Sequence, residues 1–92
     1  MATITVIVKN TTSDALTVHV FDLFANGRRE IFDPRENREQ PFNLAHNEAT
    51  PPLAVNAEAD LDILKGRIAY EADHGPRLDR IPVEDGQTVE IT

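Results

Sequence analysis

Apolar and polar side chains alternate over residues 3–9, with Ile4, Val6 and Val8 on one side and Thr3, Thr5 and Lys9 on the other. A period of two predicts a strand with one buried face. Ile7 breaks the alternation by placing an apolar group on the polar side. Residues 10–14, Asn-Thr-Thr-Ser-Asp, form a turn, because such side chains compete for nearby backbone hydrogen bonds. A second strand spans residues 16–24. Leu16, Val18 and Val20 line one face and Thr17 and His19 the other, and both faces become apolar from Phe21 onward.

Asn26-Gly27 marks a hairpin. A two-residue loop sets Phe21 opposite Phe32 but also Asp22 opposite Ile31. A three-residue loop over residues 25–27, with Gly27 left-handed, sets Val20 opposite Phe32 and Phe21 opposite Ile31. The second register pairs apolar with apolar twice and is the one expected. The third strand then runs over residues 28–33 and stops at Pro34.

Residues 35–40 are a charged loop. Phe42 and Leu44 mark a short core-facing strand, residues 46–52 a loop closed by two prolines, and Leu53 and Val55 the inward positions of another strand. Residues 57–65 carry the one helical signal. Asn56 is placed to cap, Glu58 and Asp60 lie near the positive end, Lys65 near the negative end, and Gly66 at the stop. Ala57, Leu61 and Leu64 share a face at helical spacing. Residues 67–72 return to strand with Ile68, Tyr70 and Ala72 on one side. Residues 78–83 read as an edge strand, because Pro82 cannot donate to a ladder. Glu84-Asp85-Gly86 repeats the three-residue hairpin and sets Ile81 opposite Val89, and residues 88–92 close the chain with Val89 and Ile91 inward.

About seven short strands with frequent turns predict an all-β, antiparallel β-sandwich with one short connecting helix near residues 57–65, as a single domain over residues 1–92. The Leu-x-Val strand, a crossing helix, and then Tyr70-x-Ala72 resemble an immunoglobulin-like sandwich in architecture, where that fold has Tyr-x-Cys. Alanine stands in for the cysteine and the chain has no tryptophan, so the resemblance implies an architecture and carries no function.

Ten of the apolar residues are alanine, so the larger ones suffice for one core and not for two. The net charge of −7 disfavours nucleic acid and anionic membranes as partners. The acidity belongs to the second half, where residues 47–92 carry ten acidic and four basic groups. The absence of cysteine removes thiolate chemistry, disulfides and Cys-based metal sites, and fits a cytoplasmic protein. The first residues have no basic segment before their apolar stretch, unlike a signal peptide, and no run reaches the length of a membrane helix. Arginine outnumbers lysine seven to two, with no mechanism attached to that excess at this level.

Nucleophilic catalysis needs a serine or threonine beside a histidine and an orienting acid. Ser13 is the only serine and lies in a turn, and His19, His46 and His74 are far apart in sequence. His19 reads as a half-exposed side chain on a mostly polar face. Asp60-x-Asp62 begins like a calcium loop, yet Ile63, Leu64 and Lys65 follow where further oxygen ligands belong. Glu58 and Asp62 read as an acidic helix start. Glu71, Asp73 and His74, with Asp79 or Glu84, are the other candidates for a divalent ion. Tyr70 reads as core, which leaves no aromatic platform for a sugar, and no glycine-rich phosphate loop occurs.

The expected function is therefore a non-enzymatic binding or assembly module working through a protein partner or as a homo-oligomer, with no catalytic residues, cofactor or metal. Ile4, Val6, Ile7 and Val8 are its expected self-association strand, since they form a short, uncharged, β-prone run. The alternatives are a divalent-cation-dependent, lectin-like sandwich using the acidic loops and, last, a small hydrolase built from distant carboxylates.

Overall fold

The alternating run at the start of the chain forms β1 (Ala2–Asn10), which lies inside the sheet. The structure, a computed structural model, describes residues 2–24 and 27–92, including the backbone but not the side chain of Asp60. One edge of β1 pairs antiparallel with β5 (Leu53–Asp60), with Ile4 opposite Val55. The other pairs parallel with β8 (Gln87–Ile91), with Val8 opposite Val89. Where β5 has not yet begun, the loop before it takes over. The Thr50 amide donates to the Val8 carbonyl at 2.8 Å, and the Val8 amide donates to Thr50 Oγ1 at 3.1 Å. Where β8 has not yet begun, the Gly86 amide donates to the Thr5 carbonyl at 2.7 Å and the Thr5 amide to Asp85 Oδ1 at 2.8 Å. From Thr5 onward both edges of β1 are thus occupied, and Ile4, Val6 and Val8 are buried in the core. The expected self-association strand is an inner strand of the sheet. Of its four residues only Ile7 reaches the surface, half-buried on the opposite face.

The remaining strands surround β6 (Ile63–Ala72). It pairs antiparallel with β2 (Leu16–Asp22), with Val20 opposite Tyr70, and on its far side with β7 (Arg77–Glu84). The outer edge of β2 is shared by β3 (Arg29–Ile31) and β4 (Phe42–Leu44). Strand β5 belongs to both groups, since it pairs with β1 through Ala57 and with β6 from Glu58. Inward side chains of both groups share one core, including Val6, Phe42, Leu53, Val55, Ile68 and Ile91. The protein is all-β, with eight strands among the described residues, mostly antiparallel, and the arrangement is consistent with the expected sandwich. The edge placement of β7 is as Pro82 requires, for β7 pairs with β6 alone.

Three expectations are corrected. No α-helix spans residues 57–65. Strands β5 and β6 instead form a hairpin with Asp60 opposite Ile63, turning through Leu61 and Asp62 at φ 51° and 69°. An isolated helix of two turns is marginal, whereas this hairpin extends two strands already anchored in the core. Gly66 is not a helix stop. A Cβ there would lie 2.9 Å from the Asn56 carbonyl oxygen and 3.1 Å from Val55 Cγ1, so β6 passes β5 too closely for a side chain.

The hairpin of β2 and β3 is shifted by one residue, with Val20 opposite Ile31 and Phe21 opposite Glu30. Ala25 and Asn26 of the expected loop lie outside the described residues, and Gly27 is not left-handed. The shift follows from Asp22, which faces inward. Its carboxylate accepts from the Phe24 amide at 3.0 Å and from the Asn56 amide and side chain at 3.0 and 2.9 Å. Finally, Gly86 does not close a hairpin of β7 with β8. It carries the chain from one strand group to the other at φ 81°, so Ile81 and Val89 are not partners.

Candidate functional site

The outward face of β2 carries Thr17, His19 and Phe21, since Leu16, Val18 and Val20 face the core. His19 sits between two carboxylates. Its Nδ1 is 2.8 Å from Glu30 on β3, and its Nε2 is 3.2 Å from Asp73 just beyond β6. The hydrogen bond to Glu30 chiefly raises its pKa above the usual value, partial burial opposes it, and the charges of Glu30 and Asp73 add to the rise. Next to it, the Arg28 guanidinium lies 4.1 Å above the Phe21 ring and pairs with Glu71 at 2.8 Å and Asp79 at 3.5 Å. One arginine therefore ties the approach to β3 to both β6 and β7.

The partner of Arg28 on β7 is placed by an irregularity. Ile68 pairs with Ile81 but Tyr70 pairs with Leu78, so Asp79 and Arg80 together face Ala69. Arg80 takes φ 55° there, and its amide bonds to Asp79 Oδ1 at 2.9 Å. Such bulges re-aim side chains at sheet edges. The result is a cleft of about 490 Å³ lined by Arg28, Tyr70, Glu71, Arg77, Leu78 and Asp79. A second hollow of about 200 Å³ adjoins it through Arg28 and Asp79, and is also lined by Leu23, Gly27, Arg67 and Arg80. Four of the seven arginines therefore gather here, against two carboxylates. Arg67, Arg77 and Arg80 have no ion-pair partner among the described residues.

The acidic residues singled out in the sequence do not assemble. Asp73 is engaged by His19 and Glu71 by Arg28, while His74 is exposed in the turn at φ 57°. Glu84 stands opposite Lys65, at the other end of β6 from Glu71. Glu58 also lies opposite Lys65 while Asp62 is in the turn, so the two carboxylates share no face. The Asp60 side chain of the Asp60-x-Asp62 pair lies outside the described residues. Among the described residues no three His, Asp or Glu are grouped as metal ligands would be. Tyr70 is in the core, as its position in the strand implies, and burial raises its pKa. His46 is exposed, with Nδ1 2.6 Å from the Thr12 carbonyl oxygen.

Two features escaped the sequence reading. One is the arginine cleft, whose only trace was the excess of arginine over lysine. The other is the end of the β5–β6 hairpin. Beyond Ala57 and Lys65 the hairpin loses its pairing with β1 and β7, so residues 58–64 project as a two-stranded arm. Leu61 at its tip is 90% exposed, and Ile63 and Leu64 beside it are exposed as well. No family model, no curated protein and no solved structure matches this chain.

Proposed function

We propose that the protein is a non-enzymatic binding or assembly module that acts through protein–protein contacts. The observation that carries this reading is the arm. Among the described residues, sixteen apolar side chains pack into one core, yet Leu61, Ile63 and Leu64 are left in water on the thinnest part of the molecule. Burial of one such side chain is worth about 1.5–3 kcal/mol, so a partner covering them gains directly. The turn adds to this. Leu61 occupies the left-handed region, which asparagine or glycine holds at less cost, so the turn by itself does not favour a leucine there. On the outer face, His19, Glu30, Asp73, Arg28 and Glu71 are paired with one another, an arrangement that supports a structural more than a catalytic use.

The test is a photo-crosslinking amino acid placed at position 61 or, as control, at the exposed loop position 36, in cells that make the protein. The expected result is a discrete protein adduct from position 61 only. A tip that gives no more adduct than position 36 overturns the proposal.

A further inference from the structure

We infer that the arm of one copy docks in the arginine-lined cleft of a second copy, so that copies of this chain join head to tail. The inference rests on the protein-contact reading above and names its partner and surfaces. The two surfaces are complementary in charge and in apolar character. The arm presents Leu61 and Ile63 flanked by the exposed acids Glu58 and Asp62. The cleft and the hollow adjoining it present Leu78, which is 54% exposed, among Arg28, Arg67, Arg77 and Arg80, with the two carboxylates there, Glu71 and Asp79, already paired to Arg28. On a chain of net charge −7, this concentration of arginine is the surface best suited to an acidic segment. The guanidiniums of Arg67, Arg77 and Arg80 keep their donors available, and arginine offers a carboxylate two parallel bonds where lysine offers a point charge. Arm and cleft are different surfaces of one chain, so the contact is heterologous. Each copy that accepts an arm still offers its own, and the assembly grows until it closes into a ring or continues as a filament.

Sedimentation velocity of the purified chain from micromolar to millimolar concentration, at low and high salt, measures this directly. The expected result is a mass that grows with concentration and falls with salt. Two variants then separate the surfaces. Leu61→Asn with Asp62→Gly removes the most exposed apolar side chain and the acid at the tip of the arm while installing the most favourable residues for its turn, so its melting temperature stays at or above that of the parent. Arg67→Glu with Arg77→Glu removes two exposed, unpaired charges from the cleft. Each variant alone is expected to weaken association by about tenfold or more, because every 1.4 kcal/mol lost is a factor of ten. Mixed, they are expected to form one-to-one dimers and nothing larger, because one intact arm meets one intact cleft. A parent chain that stays monomeric throughout overturns the inference, and so does a mixture that stays monomeric. Variants that associate as the parent does also overturn it, by placing the contact elsewhere. An adduct from position 61 to a different protein likewise refutes the inference but leaves the protein-contact reading standing.

Discussion

Asp22 and Asn10 show how single buried polar side chains hold this fold in register. Asp22 takes an inward position at the end of β2 and meets β5 where it leaves β1 for β6. Removal of its carboxylate leaves the Asn56 and Phe24 donors without their acceptor. Asp22→Ala is therefore expected to cost about 1–3 kcal/mol, read as a lower midpoint of urea unfolding. Asn10 is fully buried. Its side-chain amide donates to the carbonyls of Asp14 at 2.7 Å and Leu44 at 3.0 Å, and its oxygen accepts from the Thr12 amide at 2.9 Å. The Asn-Thr-Thr triplet is thus a turn organiser with no free amide hydrogen. His19 makes stability depend on pH. Its pKa is raised in the folded chain above the ordinary 6.5, so its pairs with Glu30 and Asp73 contribute fully below that value. The contribution is lost as the pH rises through the raised pKa. A melting temperature that falls as the pH rises above 6.5 in the parent, and falls less in His19→Gln, is the expected result.

At the scale of elements, the strands were legible where alternation met burial. Residues such as Val6, Val18, Phe42, Val55, Ile68 and Val89 declared the faces of β1, β2, β4, β5, β6 and β8 through their period of two. Pairing was not legible, because the partner of an edge is decided by distant residues. Asp22 reads as a surface charge until Asn56 is seen beside it, and Glu84-Asp85-Gly86 reads as a hairpin until Thr5 is seen to receive it. The helix expectation failed on Ala57, Leu61 and Leu64, whose spacing suits a helix although Ala57 simply continues the inward row of Leu53 and Val55. Gly66 distinguishes the two readings experimentally. Beyond the end of a helix an alanine has room, whereas here its methyl meets the Asn56 carbonyl. Gly66→Ala is expected to destabilise by about 1–3 kcal/mol, the cost of overpacking a well-filled core, measured by thermal unfolding. The candidate site was legible only in its parts. His19, Glu71, Asp73 and Asp79 were each visible, but their division among His19 and Arg28 depends on strand pairing and, for Asp79, on the bulge in β7.

For the whole molecule, the parallel pairing of β1 with β8 joins the first strand to the last. Most contacts of such a sheet span long stretches of chain, which makes its folding slow compared with a helical bundle of the same size. It also sets an order of events during synthesis. Strand β1 is made well before β8, so half of one edge has no partner until residues 87–91 have left the ribosome. Through that interval the run Ile4-Thr5-Val6-Ile7-Val8, β-prone and uncharged, stands as an unfinished edge in a crowded polysome. A chain ended after Glu84 is expected to be found in the insoluble fraction, and adding a peptide of residues 85–92 during refolding is expected to recover soluble protein. Failure of the truncated chain to aggregate would show that the nascent strand is protected by other means. Val6 and Val8, which no water reaches in the finished protein, therefore need shelter from the time they are made until residues 87–91 follow.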